Sequence, residues 1–196
     1  MLDQLIEKYE EILPALALDT YAYTVTIPDS DQMTPAAAIH RMALDPAMLR
    51  SPGLAQPEDL DVIAVDNGIV TLDGVNPCPE RKKVTDRLAG SGFKHWYLAI
   101  DIEGNKTLYA RYGETEGEVH FPEPLAIPFT PWTEFLGPLA PYETLLAPLY
   151  DDIQPERSVS AIFLAIIENE SGIHFNGTLL ERPRLSIPIH YDRPSA

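Results

Sequence analysis

The sequence predicts an α+β domain built mainly on antiparallel sheet, and three observations predict it. Short runs of alternating apolar residues are separated by turn residues at hairpin spacing, as at Asp66-Asn67-Gly68. One amphipathic helix opens the chain. The regular strand–helix alternation that marks a parallel sheet is missing. A chain of 196 residues with 45% hydrophobic content is expected to form a single domain spanning 1–196. Chains of this length bury about 70% of their unfolded surface, so the core needs no covalent staple.

Residues 2–13 read as a helix, with Leu2, Leu5, Ile6, Tyr9, Ile12 and Leu13 at helical spacing and Pro14 opposing its continuation. Residues 20–27 alternate Tyr21, Tyr23, Val25 and Ile27 against Ala22, Thr24 and Thr26, the pattern of a half-buried strand. Thr34-Pro35 is an N-cap followed by proline at the first helical position, opening a short helix through residue 44. Residues 61–65 and 69–72 form a hairpin around Asn67-Gly68. A short helix follows over 81–89, stopped by Gly90. Residues 93–102 and 106–112 form a second hairpin around Glu103-Gly104-Asn105. A short strand is expected at 119–121.

Residues 112–156 differ in composition. They contain no Lys or Arg, many acids, a dense series of prolines and interleaved aromatics, among them Phe129, Trp132, Phe135 and Tyr142. Prolines at this density forbid long helices and central strands, so ordered loops and helices of a few turns are expected, such as 132–136 and 142–150. Residues 158–167 are apolar on both faces and are read as a central strand, with 173–175 returning beside it. Residues 185–189 alternate again, and Pro188 assigns them to a sheet edge.

Charge narrows the partners. There are 14 Lys+Arg against 30 Asp+Glu, a net charge of −16. Such a chain repels a phosphate backbone and an anionic lipid surface, so neither nucleic acid nor membrane is expected. The complementary partner is a protein with a basic surface, although acidity also serves solubility. The first residues lack the basic start and apolar run of a signal peptide, and no stretch approaches the length of a membrane span, so a cytoplasmic location is expected. Cys78 is the sole cysteine, which excludes a disulfide within the chain; between Pro77 and Pro79 it reads as a structural thiol.

No phosphate loop, dinucleotide fingerprint, zinc-binding helix or nucleophile elbow is present, and no cofactor is expected. Asp101 and Glu103 project from one strand face and could share a divalent metal that activates water. The tripeptide Asp101-Ile102-Glu103 resembles the first motif of proofreading-type exonucleases, and the resemblance implies that this pair would bind catalytic metals. Asp151 and Asp152 are the acids available to complete such a set. The competing reading makes Asp101 and Glu103 solvent-facing residues that lead into a turn. His95, His120 and His174 lie on predicted strands, His190 on the last one and His40 on a helix, and imidazoles brought together by a sheet could hold a metal. Their spacing is not that of ligands. Asp59, Asp61, Asp66 and Asp73 read as surface and turn residues, and Arg81, Lys82, Lys83 and Arg87 as the solvated face of one helix.

The reading that follows is a non-enzymatic interaction or assembly component. Its contact residues would be Phe129, Trp132, Phe135 and Tyr142 in the acidic segment. The alternatives are a metal-dependent hydrolase centred on Asp101 and Glu103, and a small-ligand carrier with a cavity lined by the sheet.

Overall fold

A computed structural model describes residues 1–16, 20–30, 32–121, 133–151 and 157–189. In chain order it contains helix α1 (Leu2–Leu16), strand β1 (Tyr21–Pro28), α2 (Pro35–Arg41), the hairpin β2 (Asp59–Val65) and β3 (Gly68–Asp73), and α3 (Pro79–Thr85). The hairpin β4 (Phe93–Ile100) and β5 (Lys106–Tyr112) follows, then β6 (Thr115–Phe121). Short helices α4 (Thr133–Leu136), α5 (Glu143–Leu146) and α6 (Pro148–Asp151) lead to α7 (Val159–Ser171), α8 (Gly177–Glu181) and β7 (Leu185–Pro188). The strands form one antiparallel sheet of seven in the order β6-β5-β4-β1-β3-β2-β7. The α+β class is as the hairpin signals predict.

Local chemistry explains most boundaries. The Thr34 hydroxyl accepts from the Ala37 amide at the start of α2. Val65 pairs with Gly68, so Asp66 and Asn67 form the tip of the first hairpin. Pro188 lies in β7, an edge strand where a missing N–H leaves no ladder bond broken. Among the described residues no helix is long and apolar enough to cross a membrane.

The main core lies on one face of the sheet. Tyr21, Tyr23 and Val25 of β1, Trp96, Leu98 and Ile100 of β4, and Leu108 of β5 pack there against α1 and α7. The opposite face carries a smaller apolar cluster of Ile39, Met42, Leu60, Val62, Ile69 and Leu88, and a separate group of Ala22, Tyr97, Ala99 and Tyr109.

Four expectations are corrected. Residues 158–167 are not a strand: they lie in α7, whose residues from Val159 to Glu168 are buried on every side. A helix enclosed all round shows the same unbroken apolar run as a buried strand, so periodicity does not separate them. The end signals are those of a helix. The Ser158 hydroxyl accepts from the Ala161 amide, and Gly172 takes the left-handed conformation (φ 71°) that closes a helix. Residues 173–175 form no strand beside it. Strand β1 is not half-buried, because Thr24 and Thr26 are enclosed and their hydroxyls pair with Thr71 (2.7 Å) and His95 (2.8 Å). Strand β6 begins at Thr115, so the first part of the acidic segment is sheet rather than loop.

Candidate functional site

Asp101 and Glu103 sit in the β4–β5 turn. One Asp101 carboxylate oxygen accepts from the amides of Glu103 and Asn105 (2.9 Å each), and the other accepts from the Asn105 side chain at 2.8 Å. The same Asn105 amide reaches Glu103 at 3.3 Å. Partial burial would raise the Asp101 carboxyl, but the hydrogen bonds from Asn105 and Glu103 outweigh it and hold it below the usual carboxylate range. The geometry gives this pair the work of closing a hairpin. Asp152 lies outside the described residues.

The histidines stay apart. His95 and His120 share a sheet face, but His95 is level with Arg111 and His120 with Thr107, about 13 Å along the strands. His95 is fully buried, and His120 bonds to the Thr107 hydroxyl at 3.0 Å. His174 follows α7, beyond the other face, His40 lies on α2, and His190 lies outside the described residues. Among the described residues no three His, Cys, Asp or Glu side chains come together as a metal-holding group.

In the acidic segment, Phe129 and Trp132 lie outside the described residues. Phe135 is 59% exposed, whereas Tyr142, expected among the contact aromatics, is packed inward. The Tyr142 hydroxyl donates to Glu170 and accepts from the Asn169 side chain; burial and the Glu170 carboxylate push it up to about 12. The Tyr112 hydroxyl donates to the same Glu170 (2.9 Å), and that of Tyr150 to the His120 carbonyl (2.8 Å). Gly117 and Gly137 allow the segment to lie directly on β6. A Cβ on Gly117 would stand 1.8 Å from the Leu136 carbonyl oxygen, and one on Gly137 would stand 2.2 Å from that of Glu116. The segment is therefore tied to α7 through Tyr142 and to the sheet through the Tyr150 hydroxyl and a backbone contact on β6, while Phe135 is exposed.

The charged residues are partly buried and partly exposed. Of the basic residues around α3, Lys83 and Arg87 are exposed as expected, whereas Arg81 and Lys82 are turned inward. Arg81 is buried, bonded twice to Asp73 (2.5 and 2.9 Å) and once to the Glu58 carbonyl. Lys82 lies over the rings of Tyr109 and Tyr97 and bonds Asp86 at 2.9 Å, while Arg87 donates to the Met42 carbonyl. Arg41 caps the Leu88 and Ala89 carbonyls. Asp59 and Asp73 are likewise buried partners of Arg50 and Arg81 rather than surface acids, and Asp61 pairs with Arg184. The reason is common to both corrections: the β2–β3 hairpin places its acids where guanidinium groups from neighbouring segments can reach them. By contrast Glu114, Glu116 and Glu118 are exposed along the β6 edge.

Two features carried no sequence signal. Glu168, in the middle of an apolar helix, accepts from Lys8 (2.7 and 3.0 Å) and from the Tyr9 hydroxyl (2.5 Å), and His174 Nδ1 lies 2.7 Å from the same carboxylate. Burial would raise its carboxyl, yet the hydrogen bonds from Lys8 and Tyr9, together with the Lys8 charge, hold it below the usual range. A cleft of about 330 Å³ opens beside this network, between the β2–β3 tip and residues 172–182. A shallower groove of about 210 Å³ runs past Cys78, Lys82, Tyr97 and Asp101 on the other face. The sequence matches no protein-family model, and comparison with curated proteins and with solved structures gave no match.

Proposed function

We propose that the chain is a binding component that engages a protein partner presenting a basic surface, through the β6 edge of the sheet. The observation that carries this reading is the row of exposed acids at the start of β6. Arg41, Arg81 and Lys82 are turned onto internal carbonyls, carboxylates and rings, while Glu114, Glu116 and Glu118 are exposed, meeting Arg111, the Tyr109 hydroxyl and Lys82 only at their inner side. Exposed Phe135 precedes Leu136, whose carbonyl lies against Gly117 of the same strand. An aromatic anchor ringed by acids suits a basic or mixed surface. Two copies of this chain would repel one another there, whereas a basic chain would be drawn in.

The test is recovery of complexes at low salt, with Glu114, Glu116 and Glu118 changed together to Gln. Glutamine keeps an acceptor for the Tyr109 hydroxyl, which bonds Glu116 at 2.8 Å, so the fold is retained. A basic partner should associate about tenfold more slowly or worse with the variant, and added salt should slow the parent chain toward the same rate. A partner held equally by both chains, or no stoichiometric partner at low salt, overturns the reading.

A further inference from the structure

The cleft between the hairpin tip and residues 172–182 has the layout of a small-molecule site. Its two charged walls are Asp66 on the hairpin and Arg182 just after α8. Most of the described cations have partners inside the chain: Lys8, Arg50, Arg81, Arg111 and Arg184 all pair with acids. Arg182, like exposed Lys83, has no such pair among the described residues. Among the described residues, neither its guanidinium nor the Asp66 carboxylate has a side-chain partner, and they face one cleft without meeting. Opposite charges held apart across a cavity call for a molecule that carries both.

The rest of the lining fits such a molecule. Asn67, His174 and Thr178 add polar groups, and Val65, Ile173 and Leu179 add an apolar floor. The volume is at the lower end of the roughly 300–1,000 Å³ of ligand pockets, which suits a compact ligand.

Both walls are fixed before any ligand arrives. The Gln32 side chain donates to the Asp66 carbonyl at 2.7 Å and ties down the hairpin tip. On the other wall, His174 Nδ1 lies 2.7 Å from Glu168, itself fixed by Lys8 and Tyr9. The Phe175 amide donates to the Tyr9 hydroxyl (3.1 Å), and the Asn176 side chain caps α8 through the Leu179 amide (2.9 Å). Preorganisation of this kind lowers the ordering cost of binding.

The geometry points to a binding site for a free aliphatic α-amino acid in its zwitterionic form. Arg182 takes the carboxylate, Asp66 the ammonium group, and Val65, Ile173 and Leu179 the side chain. The cleft is open and its charges are hydrated when empty, so a Kd on the order of 1 mM or tighter is expected.

The experiment is an amide-resolved NMR titration of the full chain with L-leucine. Parallel titrations use 4-methylpentanoate, which lacks the ammonium group, and 3-methylbutylamine, which lacks the carboxylate. L-leucine should give saturable shifts at residues 67, 172 and 176. Both analogues should bind about tenfold more weakly or worse, as should L-leucine to the variants Asp66→Asn and Arg182→Gln. Lys83→Gln, which alters an exposed lysine elsewhere, should bind like the parent chain. Asp66 and Arg182 are exposed, so the variants should keep their remaining amide positions, which the same spectra check. No saturable shift by about 10 mM L-leucine overturns the proposal. So does equal binding of the analogues, or equal binding to the two charge variants.

Discussion

The two faces of strand β1 carry different chemistry. Tyr21, Tyr23 and Val25 point toward α1 and α7 into the main apolar core, whose buried polar groups gather at Glu168 and at the tyrosine hydroxyls. Ala22, Thr24 and Thr26 point to the other side, where Thr24 meets Thr71, Thr26 meets His95, and Arg81 of α3 meets Asp73. Both faces are enclosed. Apolar packing depends on volume and area and tolerates changes of detail. The polar face depends on partners: Arg81 fits only where Asp73 and the Glu58 carbonyl converge, and this contact fixes α3 over the sheet. A lost partner should therefore cost more on the polar face than a lost contact on the apolar one.

The strongest way to break this comparison is Arg81→Met. It leaves the Asp73 carboxylate buried without its cation, and the expected loss is about 3–5 kcal/mol, read from urea midpoints. Adding Asp73→Asn should return most of that loss, because the charge goes while an acceptor remains for the Val75 amide, which bonds Asp73 at 3.1 Å. A double variant no more stable than the single one would mean that the packing of the arginine stem, and not its charge, holds α3.

On the apolar face the matching probe is Leu164→Ala in α7. Leu164 is fully buried, and its truncation should cost about 2–5 kcal/mol, more if the cavity stays open and less if α1 and the sheet close upon it. No second substitution of charge should rescue it. The loss should be nearly the same at pH 5 and pH 7, where the polar face should respond.

The sequence disclosed the two faces unequally. Alternation along 20–27 assigned side chains to faces correctly, and Asn67-Gly68, Thr34-Pro35 and Pro188 marked a hairpin, a helix start and an edge strand. Each signal acts within a few residues. Helix α7 was misread because burial on every side erases the difference between the two periods, and only Ser158 and Gly172 distinguish them. The pairs Arg81–Asp73, Arg184–Asp61 and Lys8–Glu168 join residues brought near one another only by the fold, so charge in the sequence looked like surface. The cleft was hidden for the same reason: Asp66 and Arg182 come from distant segments, and neither belongs to a motif.

The smallest expected effect is also the most specific to the polar face. His95 is fully buried, with Nδ1 on the Thr26 hydroxyl and Nε2 enclosed without a hydrogen-bond partner among the described residues. Burial, and then the charges of Lys82 and Arg111, lower its pKa from 6.5 to about 3. Tyr109 packs edge-on against the ring and supplies no compensating negative charge. In the unfolded chain the imidazole takes up a proton near pH 6.5, but in the folded chain it does so only near pH 3. The unfolded state therefore binds more protons between these values. The stability tied to neutral His95 is fully present above about pH 6.5 and falls as the pH drops, by at most about 1.4 kcal/mol per unit. His95→Gln keeps a partner for Thr26 and cannot titrate. Its stability should fall less steeply than that of the parent between pH 6.5 and pH 4, with no difference in slope above pH 7.5, while the carboxylates elsewhere act on both proteins alike. Leu164→Ala should keep the parent's slope. Parallel curves for His95→Gln and the parent would show that the imidazole is protonated in place, and the polar face would then be wet rather than closed.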